Sequence, residues 1–351
     1  MKKLLYILLL CPLLFACQPY EEFDDTADGN LEALWTIIDE HYCFLDEKGV
    51  DWDGVLPIYR KRLHTGMTQR EYFDVCAQML DTLRDGHVNL SSTFNTSYYR
   101  KWWSDYPQDF NLRTLQENCL EFDYSTTSGI TYKILPDSIG YMYIASFSSP
   151  IGESNLDWIL HYFKDCKALV IDIRNNGGGM LTNVETLVGR FIEQEICAGF
   201  IRHKTGPGHN DFSKWQEVRY QPSDGRIPFI NKPIIVVTNR SCFSAANDFV
   251  SVMKELPNVK IVGARTGGGS GMPFSSELPN GWSVRFSACP MTDAHGMSTE
   301  EGIDPSPNCE VHSPDDELAA GIDHIFEFAV ITARQLASSE SETTNIADNP
   351  N

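Results

Sequence analysis

Ala168-Leu-Val-Ile-Asp172-Ile-Arg174-Asn175-Asn176-Gly177-Gly178-Gly179-Met180 sets a continuous apolar run against a glycine-rich turn, and apolar residues resume at helical spacing from Leu181. A short apolar run bounded by turn residues reads as a buried strand, and its hand-over to a helix is one step of an α/β layer. The same alternation recurs on both sides. Strands are expected at 141–147, 168–173, 234–238 and 259–262 and helices at 156–163, 181–192 and 244–253, which predicts a layer of parallel strands. Strands at 282–286 and around 309–311 would add an edge, and 316–336 reads as a long terminal helix.

Upstream, apolar residues fall at helical spacing three times: Leu31, Leu34, Trp35, Ile38 and Tyr42; Leu56, Tyr59 and Leu63; then Tyr72, Val75, Met79 and Leu83. That spacing predicts a helical N-terminal unit. Thr68 with Glu71 three residues on forms a capping box for the third helix. Between this unit and the α/β layer, residues 91–121 are aromatic and polar without clear period. Tyr98, Tyr99, Trp102, Trp103 and Tyr106 there suit either a cleft wall or plain packing.

The 351 residues are 42% hydrophobic, enough for a sizeable core. A formal charge of −20 and a pI near 4.8 argue against nucleic acid, whose phosphates need clustered Lys and Arg. Lys2 and Lys3 followed by an apolar run through Phe15 read as a secretory signal over 1–16. The signal ends Leu14-Phe15-Ala16-Cys17, which resembles a bacterial lipobox with Cys17 as the lipidated residue. The expected organisation is a lipidated tether over 17–29, a helical cap over 30–90, a connecting region over 91–139, an α/β core over 140–336 and a disordered tail over 337–351. Such a chain would be an exported bacterial lipoprotein at the outer membrane, periplasmic or surface-facing, held there by its Cys17 lipid. Beyond Cys11 and Cys17, eight cysteines remain, none spaced as CxxC or set beside His partners, so no metal site is expected.

Three segments carry chemistry. Glycines 177–179 let backbone N–H groups approach developing negative charge, as an oxyanion hole or a phosphate cradle, although no Gly-Lys-Ser/Thr or GxGxxG context accompanies them. Val236-Val-Thr-Asn239-Arg-Ser241-Cys242-Phe243-Ser244-Ala245-Ala246-Asn247-Asp248 again runs strand, turn, helix. Ser244 there either meets the positive end of a helix or, like Ser241, simply caps it. Asp85-Gly86-His87 lies where a helix ends, a place where an imidazole can act as a base near neutral pH, though a lone His is more often a hydrogen-bonded or surface residue.

Together these segments resemble the tail-specific, or carboxy-terminal processing, family of serine peptidases. Asp172-Ile-Arg-Asn-Asn-Gly-Gly-Gly is similar to the family's Asp-Leu-Arg-Asn-Asn-Pro-Gly-Gly, 140–147 to the strand before it, 239–245 to the nucleophile turn, and Val262-Gly-Ala-Arg-Thr-Gly-Gly-Gly269 to the turn that follows. The resemblance implies a Clp-protease/crotonase-like α/β core with an N-terminal helical cap. It also implies Ser244 as nucleophile and an oxyanion hole from Gly178 and Ala245. Where one branch of the family carries a lysine base this chain has Gly269, so the resemblance points to the tricorn-core-like branch, with His87 as base.

Thr299-Glu300-Glu301-Gly302-Ile-Asp-Pro305 resembles the family's late Glu-rich motif, which makes Glu300 the candidate supporting carboxylate and Glu301 its runner-up. Asn247 stands where most such enzymes carry an acid, with Asp248 next. The stretch 89–140 leaves little room for a PDZ module, so none is expected. The implied activity is peptide-bond hydrolysis on a peptide or protein substrate, without metal or organic cofactor. A silent binding protein on the same scaffold is the alternative, and an acyl-CoA enzyme of crotonase type would leave Ser244 and His87 without a role.

Overall fold

The computed structural model describes residues 23–347. The expected signal segment, Cys17, the start of the tether and residues 348–351 lie outside the described residues.

The N-terminal unit is three helices, α1 (Ala27–His41), α2 (Trp52–Arg60) and α3 (Gln69–Asp81). Helix α1 begins inside the expected tether because Thr26 accepts a hydrogen bond from the Gly29 N–H and caps it there. The capping box of α3 is formed at both of its bonds, Thr68 with Glu71. Trp35 and Trp52 each donate an indole N–H to the other's carbonyl, at 2.9 and 3.0 Å, and this clasp fixes α1 against α2.

Two sheets follow. The first has six strands in the order β2 (Ser125–Thr127), β3 (Ile130–Leu135), β4 (Ile139–Ile144), β5 (Ala168–Asp172), β8 (Ile234–Thr238) and β9 (Val259–Gly263). Strands β4, β5, β8 and β9 are parallel, as the strand–helix alternation requires. Every residue of β5 and β8 is buried, which is why their sequences are apolar without alternation. Helices α4 (Glu153–Tyr162), α5 (Leu181–Val188) and α6 (Ala245–Met253) cover one face. The other face packs on residues around Leu115 and on α8 (His324–Ala347). Each fully buried Leu or Ile in such a core contributes about 1.5–3 kcal/mol.

The second sheet corrects the expectation for 282–286. That segment belongs to β11 (Ser283–Thr292), which is not an edge of the parallel layer. It is the centre of an antiparallel sheet with β1 (Asn89–Ser91), β6 (Ile196–Ile201), β7 (Gln216–Tyr220) and β10 (Gly271–Glu277). The helical cap packs here: Leu31, Leu34, Ile38, Phe73 and Met79 join Trp282, Val284 and Phe286 in one cluster.

The terminal helix also differs from its expected span. Gly321, at φ 91°, separates α7 (Asp315–Ala319) from α8, and Asp323 accepts the Phe326 N–H at 3.0 Å to start α8 anew. With no Gly or Pro to stop it, α8 then continues to Ala347, into the stretch expected to be a disordered tail. Asp323 also pairs with the fully buried Arg174 at 2.9 Å, and Arg174 meets Asp172 at 2.6 Å. That triad ties α8 to the end of β5, where the glycine turn begins.

Candidate active site

Strands β5 and β8 are neighbours and end on the same side of the parallel sheet, where ligands of open α/β layers bind. The turn after β5 is the glycine run, and the turn after β8 carries Ser244. The two turns interlock: Phe243 donates its N–H to Asn176 O at 3.1 Å, and the Asn239 amide bonds both backbone and side chain of Asn175, at 2.9 and 2.7 Å. On the far side Ser244 donates its N–H to Gly268 O at 2.9 Å. Held from both sides, Ser244 takes φ 57° and ψ −122° immediately before α6. A serine in that region is strained and persists only where the surroundings impose it.

Gly178 must be glycine. A Cβ there would stand 2.8 Å from Ser244 Cβ and 2.9 Å from the Ala245 nitrogen, and its φ is 93°. The Ala245 N–H, at the first position of α6, has no partner within the helix. The Gly178 N–H is held by Asn176 Oδ1 at 3.0 Å, so one of the two expected oxyanion donors is occupied in this state. Asn247 donates to Thr299 O and Oγ1 at 3.2 and 3.1 Å, which uses it to clasp α6 to the Glu300 segment. The neighbouring carboxyl of Asp248 accepts from Tyr220 and is pushed by burial up to about 6.

His87 lies in the turn between α3 and β1 and lines the same cleft as Ser244 and glycines 177–179. Tyr98, Tyr99, Trp102 and Trp103 also line it, so these four of the aromatic stretch are cleft wall, whereas Tyr106 packs against the Arg240 guanidinium at 4.2 Å. The imidazole is buried against Phe243, ring centroids 4.6 Å apart, and Trp102 also stacks on Phe243 at 4.3 Å. Neither ring nitrogen has a hydrogen-bond partner, so His87 is bonded to neither Ser244 nor Glu300 here. Burial, helped by the nearby Arg285 and Lys48 charges, lowers its pKa to about 4 against the pull of Asp85.

Glu300 is buried, whereas Glu301 is exposed. Its carboxylate accepts the Ser270 N–H at 2.8 Å and pairs with Lys48 at 2.8 Å. Burial and repulsion by Asp85 raise it to about 8 despite Lys48. The carboxylate nearest His87 is instead Asp85, whose Oδ1 accepts the His87 backbone N–H at 2.7 Å. Asp85 also takes hydrogen bonds from Tyr42 and Ser287 and lies 3.7 Å from Lys48. Burial would raise it, but the Lys48 charge, the neighbouring His87 with its backbone N–H, and the Ser287 hydroxyl hold it below the usual carboxylate range. Lys48 and Asp85 were not read from sequence as site residues. Asp85 stood in the Asp-Gly-His triplet, while Lys48, in Glu47-Lys48-Gly49, carries no sign of being buried.

Two family models match the chain: peptidase family S41 over residues 138–308 and the tricorn protease C1 domain over residues 23–81. The carboxy-terminal processing protease CtpA of Bacillus subtilis (strain 168) is 25% identical over 177 residues, 50% of this chain and 36% of that protein. The chain thus spans about a third of that relative's length, 36%. A crystal structure from Parabacteroides merdae, described as that of a candidate peptidase, is 47% identical and matches with a TM-score of 0.82 over 88% of this chain and 97% of that one. Mature CPAF shares the fold at 13% identity, with a TM-score of 0.65 over 89% of this chain and 98% of that one.

The depressed imidazole has a consequence for stability. Unfolded His titrates at about 6.5, and folded His87 resists protonation down to about 4. The native state therefore keeps this contribution above pH 6.5 and loses it as pH falls toward 4. Between pH 7 and pH 4 the unfolding free energy, read from denaturant midpoints, is expected to fall by about 3 kcal/mol more in the wild type than in His87→Gln. Equal losses in the two proteins would show that the ring protonates freely.

Proposed function

We propose that the chain, which belongs to peptidase family S41, hydrolyses peptide bonds through an acyl-enzyme, with Ser244 as nucleophile and His87 as general base. The observation that carries this reading is Ser244 itself: strained at φ 57°, at the head of α6, in one cleft with His87 and the glycine turn. A serine held there has its hydroxyl beside backbone donors and the positive end of a helix.

In the first step Ser244 Oγ bonds to the scissile carbonyl carbon while its proton passes to a His87 ring nitrogen, and the carbonyl electron pair moves onto oxygen. The N–H groups of Ala245 and Gly178 take up that oxyanion, Gly178 after exchanging Asn176 for it. Donors of this kind are worth about 3–4 kcal/mol of barrier each. Collapse expels the amine, which takes the proton from His87. Water then adds to the acyl carbon while its proton passes to His87, and collapse breaks the bond to Ser244 Oγ, which takes that proton back from His87 as the carboxylic product leaves.

A neutral imidazole is the form a base must have, and the lowered pKa keeps His87 neutral at pH 7. The ring reaches Ser244 by turning off Phe243. Glu300 acts as a positioning residue through Lys48 and the Ser270 N–H. The substrate is a peptide or protein, and the acidic balance of the chain disfavours nucleic acid.

Labelling by a fluorophosphonate tests the nucleophile. Wild type is expected to be modified and Ser244→Ala not, with kcat falling by about 10⁴-fold or more in Ser244→Ala and in His87→Ala on a peptide library. An unlabelled wild type would favour a binding protein on this scaffold.

We also infer export as a lipoprotein, on the strength of Lys2, Lys3, the apolar run and Cys17. Labelled fatty acid is expected to enter the wild type in cells and to be absent from Cys17→Ala; equal labelling would refute the anchor.

A further inference from the structure

Arg285 lies mid-strand in β11, opposite Asn89 of β1 and Ser275 of β10. It is half-buried, and it borders both hollows that meet at Ser244. One is the aromatic cleft with His87, and the other runs past Asn247, Ser270 and Met272. Its only hydrogen bonds among the described residues are long ones from Nη1, at 3.5 Å to His87 O and 3.4 Å to Asn89 Oδ1. Among the described residues no carboxylate pairs with it within 4.0 Å.

The other arginines withdrawn from solvent are satisfied: Arg240, which meets no carboxylate, donates to the carbonyls of Trp102, Thr266 and Glu301, the first two at 2.6 and 2.7 Å, and the two fully buried ones are ion-paired. Arg174 meets Asp172 and Asp323, and Arg190 meets Glu153 and Asp157. A guanidinium stays charged at any working pH, and withdrawing it from water without a counterion is unfavourable. In a chain of net charge −20 an acidic partner is easily supplied, yet the cleft leaves this cation open. The guanidinium fork matches a carboxylate, which it can hold by two parallel hydrogen bonds.

We propose that Arg285 is a specificity residue that binds a carboxylate of the peptide lying across Ser244. Either an Asp or Glu side chain or the free carboxy terminus of the peptide supplies that group. The inference rests on the cleft being a peptide site, but its test does not require turnover.

Full-length Ser244→Ala protein is immobilised and challenged with mixed decapeptide pools. In one arm a fixed position carries Glu or Gln, and in the other the carboxy terminus is free or amidated. One arm is expected to show the carboxylate pool retained about tenfold or more over its neutral partner, the gain typical of a charge-assisted pair. That arm names the source. Adding Arg285→Gln should bring the ratio close to one, and Arg285→Lys should keep a reduced preference, which separates lost charge from lost folding. Equal retention of all pools, or a ratio unchanged in both Arg285 variants, overturns the proposal. Fluorophosphonate labelling of the wild type reports on the peptidase reading separately, whichever way the pools divide.

Discussion

Asp85 and Glu300 come from opposite ends of the chain and are buried side by side, where two like charges would repel by several kcal/mol in a poorly screening medium. The Lys48 ammonium, held charged well above its ordinary range because these two acids outweigh its burial, pairs with both: Asp85 stays low, and Glu300, raised to about 8, takes up the repulsion by holding its proton. Much of the site hangs on that lysine. Asp85 fixes the His87 backbone, and Glu300 accepts the Ser270 N–H while its carbonyl accepts that of Gly269. Gly268, next in the same loop, receives the N–H of Ser244. One buried cation from the helical cap thus ties together the segments that bring His87 and Ser244, the proposed base and nucleophile, into a single cleft.

The second constraint is crowding around the Ser244 turn. The Phe243 ring occupies the space that a side chain at position 269 would need: a Cβ on Gly269 would meet it at 2.5 Å, on a backbone with φ 81°. No lysine can serve as base from there. The proposed base must come from across the junction, and the same Phe243 ring is the surface on which His87 rests. Phe243 therefore both closes one catalytic design and shelters the imidazole proposed for the other.

Much of the parallel layer was legible because fully buried strands such as β5 and β8 spell themselves as unbroken apolar runs ending in turn residues. The antiparallel sheet was not. Strand β10 alternates poorly and pairs beyond a bulge between Met272 and Pro273, and β1 finds β11 from nearly two hundred residues away, so no local pattern announces either. Ser244, His87 and the glycine turn stood out by motif. Lys48 did not, because a lysine between Glu47 and Gly49 looks like any solvated turn, and its burial follows only from how the cap packs on the second sheet. The split of the terminal helix was readable in Gly321, a residue that the apolar spacing alone passes over.

The central claim is that Ser244 and His87 act as one unit across the cap–core junction. A crystal structure of the fluorophosphonate-treated protein tests it most directly. The account predicts phosphorus bonded to Ser244 Oγ, with a His87 ring nitrogen turned off Phe243 to within about 3 Å of the Ser244 oxygen or the adduct. An adduct on another residue, or a modified Ser244 with His87 still stacked on Phe243 and out of reach, would contradict it.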